Sequence, residues 1–221
     1  VQDLDRWIEE KGMRRFKIGV FDIDGILRGK YVNREKLRSA VDKGFGFCDV
    51  VLGWDAHDEL YDRVEVSGWH TGYRDAPVQL DLSSLRAIPF EEDTLLLIGS
   101  FGGDYAAVCP RMTLGRTLSR GREMGFEVNG AFEYEFFVFD ESPHSVRAKG
   151  YRDLRPVTPG MFGYSVLRNS VHAEFYHDLM DTMEGLDCEL EGLHTETGPG
   201  VIEAAIRYTS GLAAADRAAI F

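Results

Sequence analysis

Apolar positions recur along the first part of the chain with a period that switches between helical and extended. Residues 3–12 (DLDRWIEEKG) place Leu4, Trp7 and Ile8 on one helical face, with Asp3 as cap and Gly12 as stop. The next stretch alternates: Phe16, Ile18 and Val20 point one way, and Asp24-Gly25 bends the chain into a second extended run over 27–32, which predicts a β-hairpin. Residues 33–44 predict a helix with Asn33 as cap, Leu37, Ala40 and Val41 facing inward, and Gly44 ending it. From 45 to 70 aromatics stand beside acids without a period, as expected of a functional or interface loop. An extended polar run then leads into a buried strand over 94–100, and Gly102-Gly103 with Pro110 mark a domain boundary.

The second part opens with an expected helix over about 113–124, followed by a strongly β-prone run, FEVNGAFEYEFFVFD, over 126–140. Residues 141–165, rich in Pro and Gly, read as loop. Phe175, Leu179 and Met183, four residues apart, predict a helix over 171–183. Two short strands are expected over 187–191 and 201–208, and a last helix begins near Thr209. That helix reaches Phe221 without a cap or polar tail, the pattern expected of a truncated chain.

Composition narrows the function classes. The 221 residues carry a formal net charge of −12, which repels nucleic acid backbones and anionic membranes alike. Cys48, Cys109 and Cys188 are odd in number, widely spaced and without a CxxC, so neither a disulfide framework nor a zinc site is expected. No apolar run is long enough for a membrane span, and the opening residues do not resemble a signal peptide. These features describe a cytoplasmic protein with reduced thiols and no membrane or nucleic acid partner.

The chemistry gathers in two acidic blocks. Glu133 and Glu135 lie two apart in a β-run, so both carboxylates project from one face. Phe132, Tyr134, Phe136 and Phe137 around them predict a buried strand, where adjacent like charges call for a divalent cation. The other reading is an edge strand with a wet face. The second block, Glu191-Gly-Leu-His194-Thr-Glu196-Thr-Gly-Pro-Gly-Val-Ile-Glu203, could fold Glu196 and Glu203 toward each other across its Gly198-Pro199-Gly200 turn. An all-carboxylate donor set favours Mg²⁺ or Mn²⁺. Here His194 reads as a core histidine bonded to backbone.

Together these blocks, FEYEFFVFD and then E-x-x-H-x-E-x-G-P-G-x-x-E, resemble the glutamine synthetase catalytic domain. Its strand carries E-x-E-F-F, and its second block reads E-x-x-H-H-E-x-x-x-G-Q-x-E. The stretches FDIDGILRGKYV, DLSSLRAIPF and CPRMTLGR follow the family in order, as does Asp49 after an aromatic-glycine run. The resemblance implies an α+β fold: a β-grasp-like first domain over 1–105 and an incomplete catalytic domain over 106–221. It implies that Glu135, Glu196 and Glu203 hold one metal ion and Glu133 a second. Glu191 would contact ATP, and Asp49 would bind and deprotonate the amine across a subunit boundary. The implied reaction joins the γ-carboxylate of glutamate to ammonia or an amine through a γ-glutamyl phosphate. The implied cofactors are Mg²⁺ or Mn²⁺ with ATP as co-substrate, and the implied assembly is a homo-oligomeric ring, hexameric or stacked into a dodecamer.

Departures from the family pattern shape the expectation. Val201 replaces a glutamine, Thr195 replaces the second histidine, and Val50-Val51-Leu52 replaces a glycine and paired serines beside the amine site. This looks more like the branch that joins glutamate to larger amines, such as the γ-glutamyl-polyamine ligases. The family's later histidine ligand, last metal glutamate and phosphate-binding arginines have no counterpart before residue 221, so the chain by itself is not expected to act as a ligase. The alternatives are a non-catalytic relative with a structural or regulatory role and an unrelated acidic α/β binding module.

Overall fold

The computed structural model describes residues 2–221 and divides them into two compact units. One runs through Val128 and takes in Ser210–Phe221; the other is Asn129–Thr209. In chain order the elements are α1 (Gln2–Lys11), β1 (Arg15–Phe21), β2 (Leu27–Val32), α2 (Arg34–Lys43), β3 (Phe45–Cys48), β4 (Asp75–Ala87), β5 (Thr94–Phe101), α3 (Pro110–Glu123) and β6 (Asn129–Gly130). There follow β7 (Glu133–Phe137), α4 (Pro143–Ala148), α5 (Val166–Val171), α6 (Ala173–Gly185), β8 (Leu190–Thr195), β9 (Val201–Ile206), β10 (Thr209–Ser210) and α7 (Gly211–Ile220).

In the first unit, β5 is the central strand. It runs parallel to β1 and antiparallel to β4, in a sheet ordered β2-β1-β5-β4-β3. Every residue of β5 is buried, which explains its nearly continuous apolar run. Phe16, Ile18 and Val20 of β1 and Leu95 and Leu97 of β5 share a core with Leu4 and Ile8 of α1 and Leu37 and Ala40 of α2. Each fully buried Leu or Ile contributes about 1.5–3 kcal/mol. The expected caps are in place: Asn33 Oδ1 accepts from the Lys36 N–H at 2.8 Å, and Gly44 ends α2 at φ 74°.

Several boundaries differ from the sequence reading. The expected loop after Gly44 begins as β3, because Phe45 and Phe47 alternate into the core while the backbone pairs with β4. A 3₁₀ turn, Asp49–Leu52, follows. The polar run before β5 is itself a strand, with a register break between Asp81 and Arg86. Helix α3 starts at Pro110, since proline at the first helical position sacrifices no hydrogen bond.

Helices α3 and α7 are tied to the sheet by one guanidinium. Arg111 Nε donates to Asp216 Oδ1 at 2.9 Å, Nη2 to Asp216 Oδ2 at 2.8 Å and to Asp81 Oδ2 at 2.6 Å, and Nη1 to Ser100 Oγ at 3.1 Å. Burial opposes the charge on Arg111, but its bonds to Asp216 and Asp81 outweigh this and hold its pKa above the ordinary value.

The second unit has a three-stranded antiparallel sheet ordered β7-β9-β8. Along β9, Ile202, Ala204 and Ile206 are buried, whereas Glu203 and Ala205 on the alternate face are half-buried. Tyr176 and Met183 of α6, with Leu186 and Cys188, supply further buried apolar groups in this unit. Residues 141–165 are not all loop: Ser142 and Ser145 form a capping box that starts α4. Lys149, Ser145 and the Arg155 N–H hold the Glu141 carboxyl down to about 2, and so pin this segment from both ends. The expected helix over 171–183 divides at His172 into α5 and α6. Among the described residues none of Cys48, Cys109 and Cys188 forms a disulfide, and no described helix is long and apolar enough to cross a membrane.

Replacing Arg111 strands two carboxylates, one of them, Asp216, buried. Arg111→Met is expected to destabilise the fold by about 3–5 kcal/mol, read as a lower urea midpoint, and adding Asp216→Leu should recover most of that loss. An unchanged midpoint in the single variant would show that the network adds no stability.

Candidate functional site

Antiparallel register builds the site. Glu203 in β9 stands opposite Glu135 in β7 and opposite His194 in β8, so these three residues form a row across the sheet. Ile202 and Ala204, the neighbours of Glu203, are buried on the other face, which turns the row toward the open side. Glu196 joins the row from just beyond β8, where its N–H donates to the Val201 carbonyl at 2.9 Å. One ligating atom from each of His194, Glu196 and Glu203 falls within 4.8 Å of the others.

The donor set suits a divalent cation. His194 Nε2 lies 3.7 Å from Glu196 Oε1 and 4.0 Å from Glu203 Oε1. Those gaps are too long for hydrogen bonds. An ion about 2.1 Å from each of two donors bridges up to about 4.2 Å, which covers both of these separations. Nε2 is also buried and has no hydrogen-bond partner. This atom makes none of the backbone bonds expected of a core histidine, because the strand register turns the ring toward two carboxylates.

Two neighbours from the preceding loop frame the row. Tyr164 stacks on the His194 ring with centroids 4.3 Å apart and planes inclined by 18°. Its backbone holds φ at 59°, an uncommon conformation for tyrosine, and its N–H donates to the Thr195 carbonyl at 2.8 Å. A hydrogen bond to Glu196 and the charge of that carboxylate raise the Tyr164 pKa, with burial and the charges of Glu203 and Glu133 adding to the effect. Glu196 is held below the ordinary carboxylate range, chiefly by the Thr197 hydroxyl and N–H, against a smaller opposing effect of burial. It is thus an anion at neutral pH.

The turn between β8 and β9 is clamped. Thr158, which is buried, accepts the Gly200 N–H on Oγ1 at 2.7 Å and donates to the Gly160 carbonyl at 3.1 Å. The Gly200 carbonyl accepts from Val138 at 2.8 Å. Gly200 sits at φ 74°, and a Cβ there would lie 2.7 Å from the Val138 oxygen and 3.0 Å from Pro156 Cβ. Only glycine fits.

The remaining candidates are placed differently. Glu133 and Glu135 share a face of β7, but both are exposed, because β7 is an edge of its sheet and Phe132 and Phe137 are exposed beside them. The buried-strand expectation is corrected to the wet-edge alternative. Glu191 is one extra residue in β8: Leu190 faces Ile206 while Gly192 faces Ala205. Such a bulge re-aims its side chain. Asp49 belongs to the first unit, fully buried, and accepts hydroxyls from Ser67 at 3.0 Å, Tyr105 at 3.0 Å and Thr71 at 3.4 Å. Tyr164 and Thr158 were not singled out in the sequence; both lie in the Pro- and Gly-rich segment, whose turns carry no period to mark them.

The chain is similar to several known proteins. A family model described as "Glutamine synthetase, catalytic domain" matches residues 107–221. "Type-1 glutamine synthetase 2" of Dictyostelium discoideum is 45% identical over 208 residues, covering 93% of this chain and 40% of that protein. "Glutamate--isopropylamine ligase" of Pseudomonas sp is 32% identical over 216 residues, covering 96% and 47%. A solved structure described as "GmaS/ADP complex-Conformation 1" superposes with a TM-score of 0.73 at 20% identity, covering 100% of this chain and 47% of that one, a likeness of fold. The chain spans less than half the length of each of these proteins.

The clamp yields a test. Gly200→Ala is expected to cost about 2 kcal/mol or more in stability and to weaken Mn²⁺ binding, measured by thermal denaturation and metal titration. Wild-type stability and affinity together would show that the turn does not position the carboxylates.

Proposed function

The chain belongs to the glutamine synthetase family, and from that premise we propose that the intact protein is an ATP-dependent carbon–nitrogen ligase. It joins the γ-carboxylate of glutamate to ammonia or a primary amine. The observation that carries this reading is the row of Glu135, Glu203 and His194 across the sheet, with Glu196 beside it.

In this reading Glu135, Glu196 and Glu203 hold one Mg²⁺ or Mn²⁺ ion and Glu133 contributes to a second. The bound ions supply charge neutralisation for phosphate and carboxylate oxygens. Glu191, re-aimed by its bulge, meets the nucleotide. The γ-carboxylate oxygen of glutamate attacks the γ-phosphorus of ATP and ADP leaves; the amine nitrogen then attacks the acyl carbon and phosphate leaves. Asp49 takes a proton from the attacking nitrogen, in a site completed by a neighbouring subunit of a ring-shaped homo-oligomer. The acidic net charge of −12 fits a cytoplasmic protein acting on small molecules.

We read the sheet of the first unit as β-grasp-like, on the strength of its parallel β1–β5 pair and the packing of α2 in its core. The proposed domain boundary at 105/106 is supported by the family match beginning at residue 107. The choice between ammonia and a larger amine rests on the loop after Asp49. Val51 and Leu52 are buried in the core there, which leaves half-buried Val50 and Trp54 as the apolar groups able to meet a substrate.

Phosphate release by the intact protein with ATP, Mg²⁺ and glutamate, and with ammonia, methylamine, ethanolamine or putrescine supplied singly, decides the reading. Turnover with at least one of them is expected, reduced on the order of a hundredfold or more in Glu203→Gln. Metal and ATP binding without turnover on any amine would contradict the ligase reading.

A further inference from the structure

We propose that Tyr105 is a positioning residue for the amine step: its hydroxyl, directed by Arg74, holds the Asp49 carboxylate in the orientation from which it meets the substrate nitrogen. This rests on the ligase reading, in which Asp49 takes the proton, and goes beyond it by naming what orients Asp49.

The hydrogen bonds run in one direction. Arg74 Nε donates to the Tyr105 oxygen at 2.9 Å, and that oxygen lies 3.0 Å from Asp49 Oδ2. An arginine has no acceptor and a carboxylate that acts as a base has no donor. Tyr105 therefore accepts from Arg74 and points its single proton at Asp49. A hydroxyl polarised in this way by a cation is a stronger donor. The Asp49 N–H also donates to the Arg74 carbonyl at 3.0 Å, so Arg74 braces Asp49 at the backbone and, through Tyr105, at the side chain.

Tyr105 is the fixed end of this contact. It is buried in the apolar core of the first unit, in a 3₁₀ turn over Gly103–Ala107, and its carbonyl accepts the Val108 and Cys109 N–H groups at 3.2 and 3.0 Å. Ser67, whose hydroxyl donates to Asp49 Oδ1 at 3.0 Å, belongs instead to the irregular segment between the 3₁₀ turn at Asp49–Leu52 and β4. Thr71 is a weaker partner, its hydroxyl lying 3.4 Å from Oδ2 but 2.9 Å from the Gly68 carbonyl. One carboxylate oxygen is thus anchored from the core and the other is held by a loop serine. Because Asp49 is fully buried, the nitrogen reaches it by replacing the Ser67 hydroxyl, and Oδ1 takes the proton while Tyr105 keeps Oδ2 in place.

Tyr105→Phe keeps the ring in the core and removes only the hydroxyl. It is tested in the intact protein, with the best substrate among ammonia, methylamine, ethanolamine and putrescine. The expected result is a kcat/KM for the amine lower by about tenfold to a hundredfold, with KM for ATP and for glutamate unchanged. In an Asp49→Asn background the same change should add less than about twofold, because the tyrosine acts through that carboxylate. Should Tyr105→Phe fail to fold, Arg74→Gln, at an exposed position, carries the test with a smaller loss of the same kind. An unchanged kcat/KM for the amine, a loss shared by the KM values for ATP and glutamate, or full additivity with Asp49→Asn would overturn the proposal and leave the ligase reading standing. No turnover by the wild type with any of the four amines would overturn the ligase reading, and the proposal with it.

Discussion

The register of β9 is the constraint on which the site depends. Its side chains alternate between a buried apolar face, Ile202, Ala204 and Ile206, and an open face that carries Glu203. A slip of one residue would drive Glu203 into the core and expose the isoleucines, so apolar burial on one side pins the carboxylate on the other. The neighbouring strands read their positions from β9: Glu135 and His194 are placed by pairing with the same residue. The core of this unit thus aligns the donors without touching them.

Gathering carboxylates costs free energy, and the structure limits that cost locally. Thr197 solvates Glu196 through two hydrogen bonds, Tyr164 adds another, and Glu133 and Glu135 remain in water at the sheet edge. The clamp from Thr158 to Gly200 fixes the turn by which Glu196 and Glu203 converge. What remains uncompensated is His194 Nε2 with the carboxylates around it, the condition that a cation relieves. In the first unit Asp49 is handled in the opposite way. The Ser67 and Tyr105 hydroxyls donate to the two oxygens of a fully buried carboxylate, which fixes its orientation.

Features governed by neighbours in sequence were legible before the structure. The caps at Asn33 and Gly44, the β1–β2 hairpin and the shared face of Glu133 and Glu135 all follow from local periodicity and turn chemistry. Features governed by distant partners were not. A four-residue strand such as β3 carries too short a period to stand out, and only its pairing with β4 reveals it. Strand β8 runs over Leu190–Thr195, later than the local apolar pattern suggests, because its pairing with β9 sets its bounds. The aromatic residues of β7 mark a strand, whereas its burial depends on what covers it. The Thr158–Gly200 bond links residues 42 apart and leaves no trace in spacing. The environment of His194 needs three segments to be brought together before it can be read.

On the proposed function, the open face of the β7-β9-β8 sheet is a divalent metal site. Crystals of the intact protein grown with Mn²⁺ and measured at the manganese absorption edge test it most directly. A strong anomalous peak is expected among Glu196, Glu203 and His194, within about 2.3 Å of ligand atoms from at least two of them. Manganese bound only elsewhere, with these side chains ordered and bare, would contradict it.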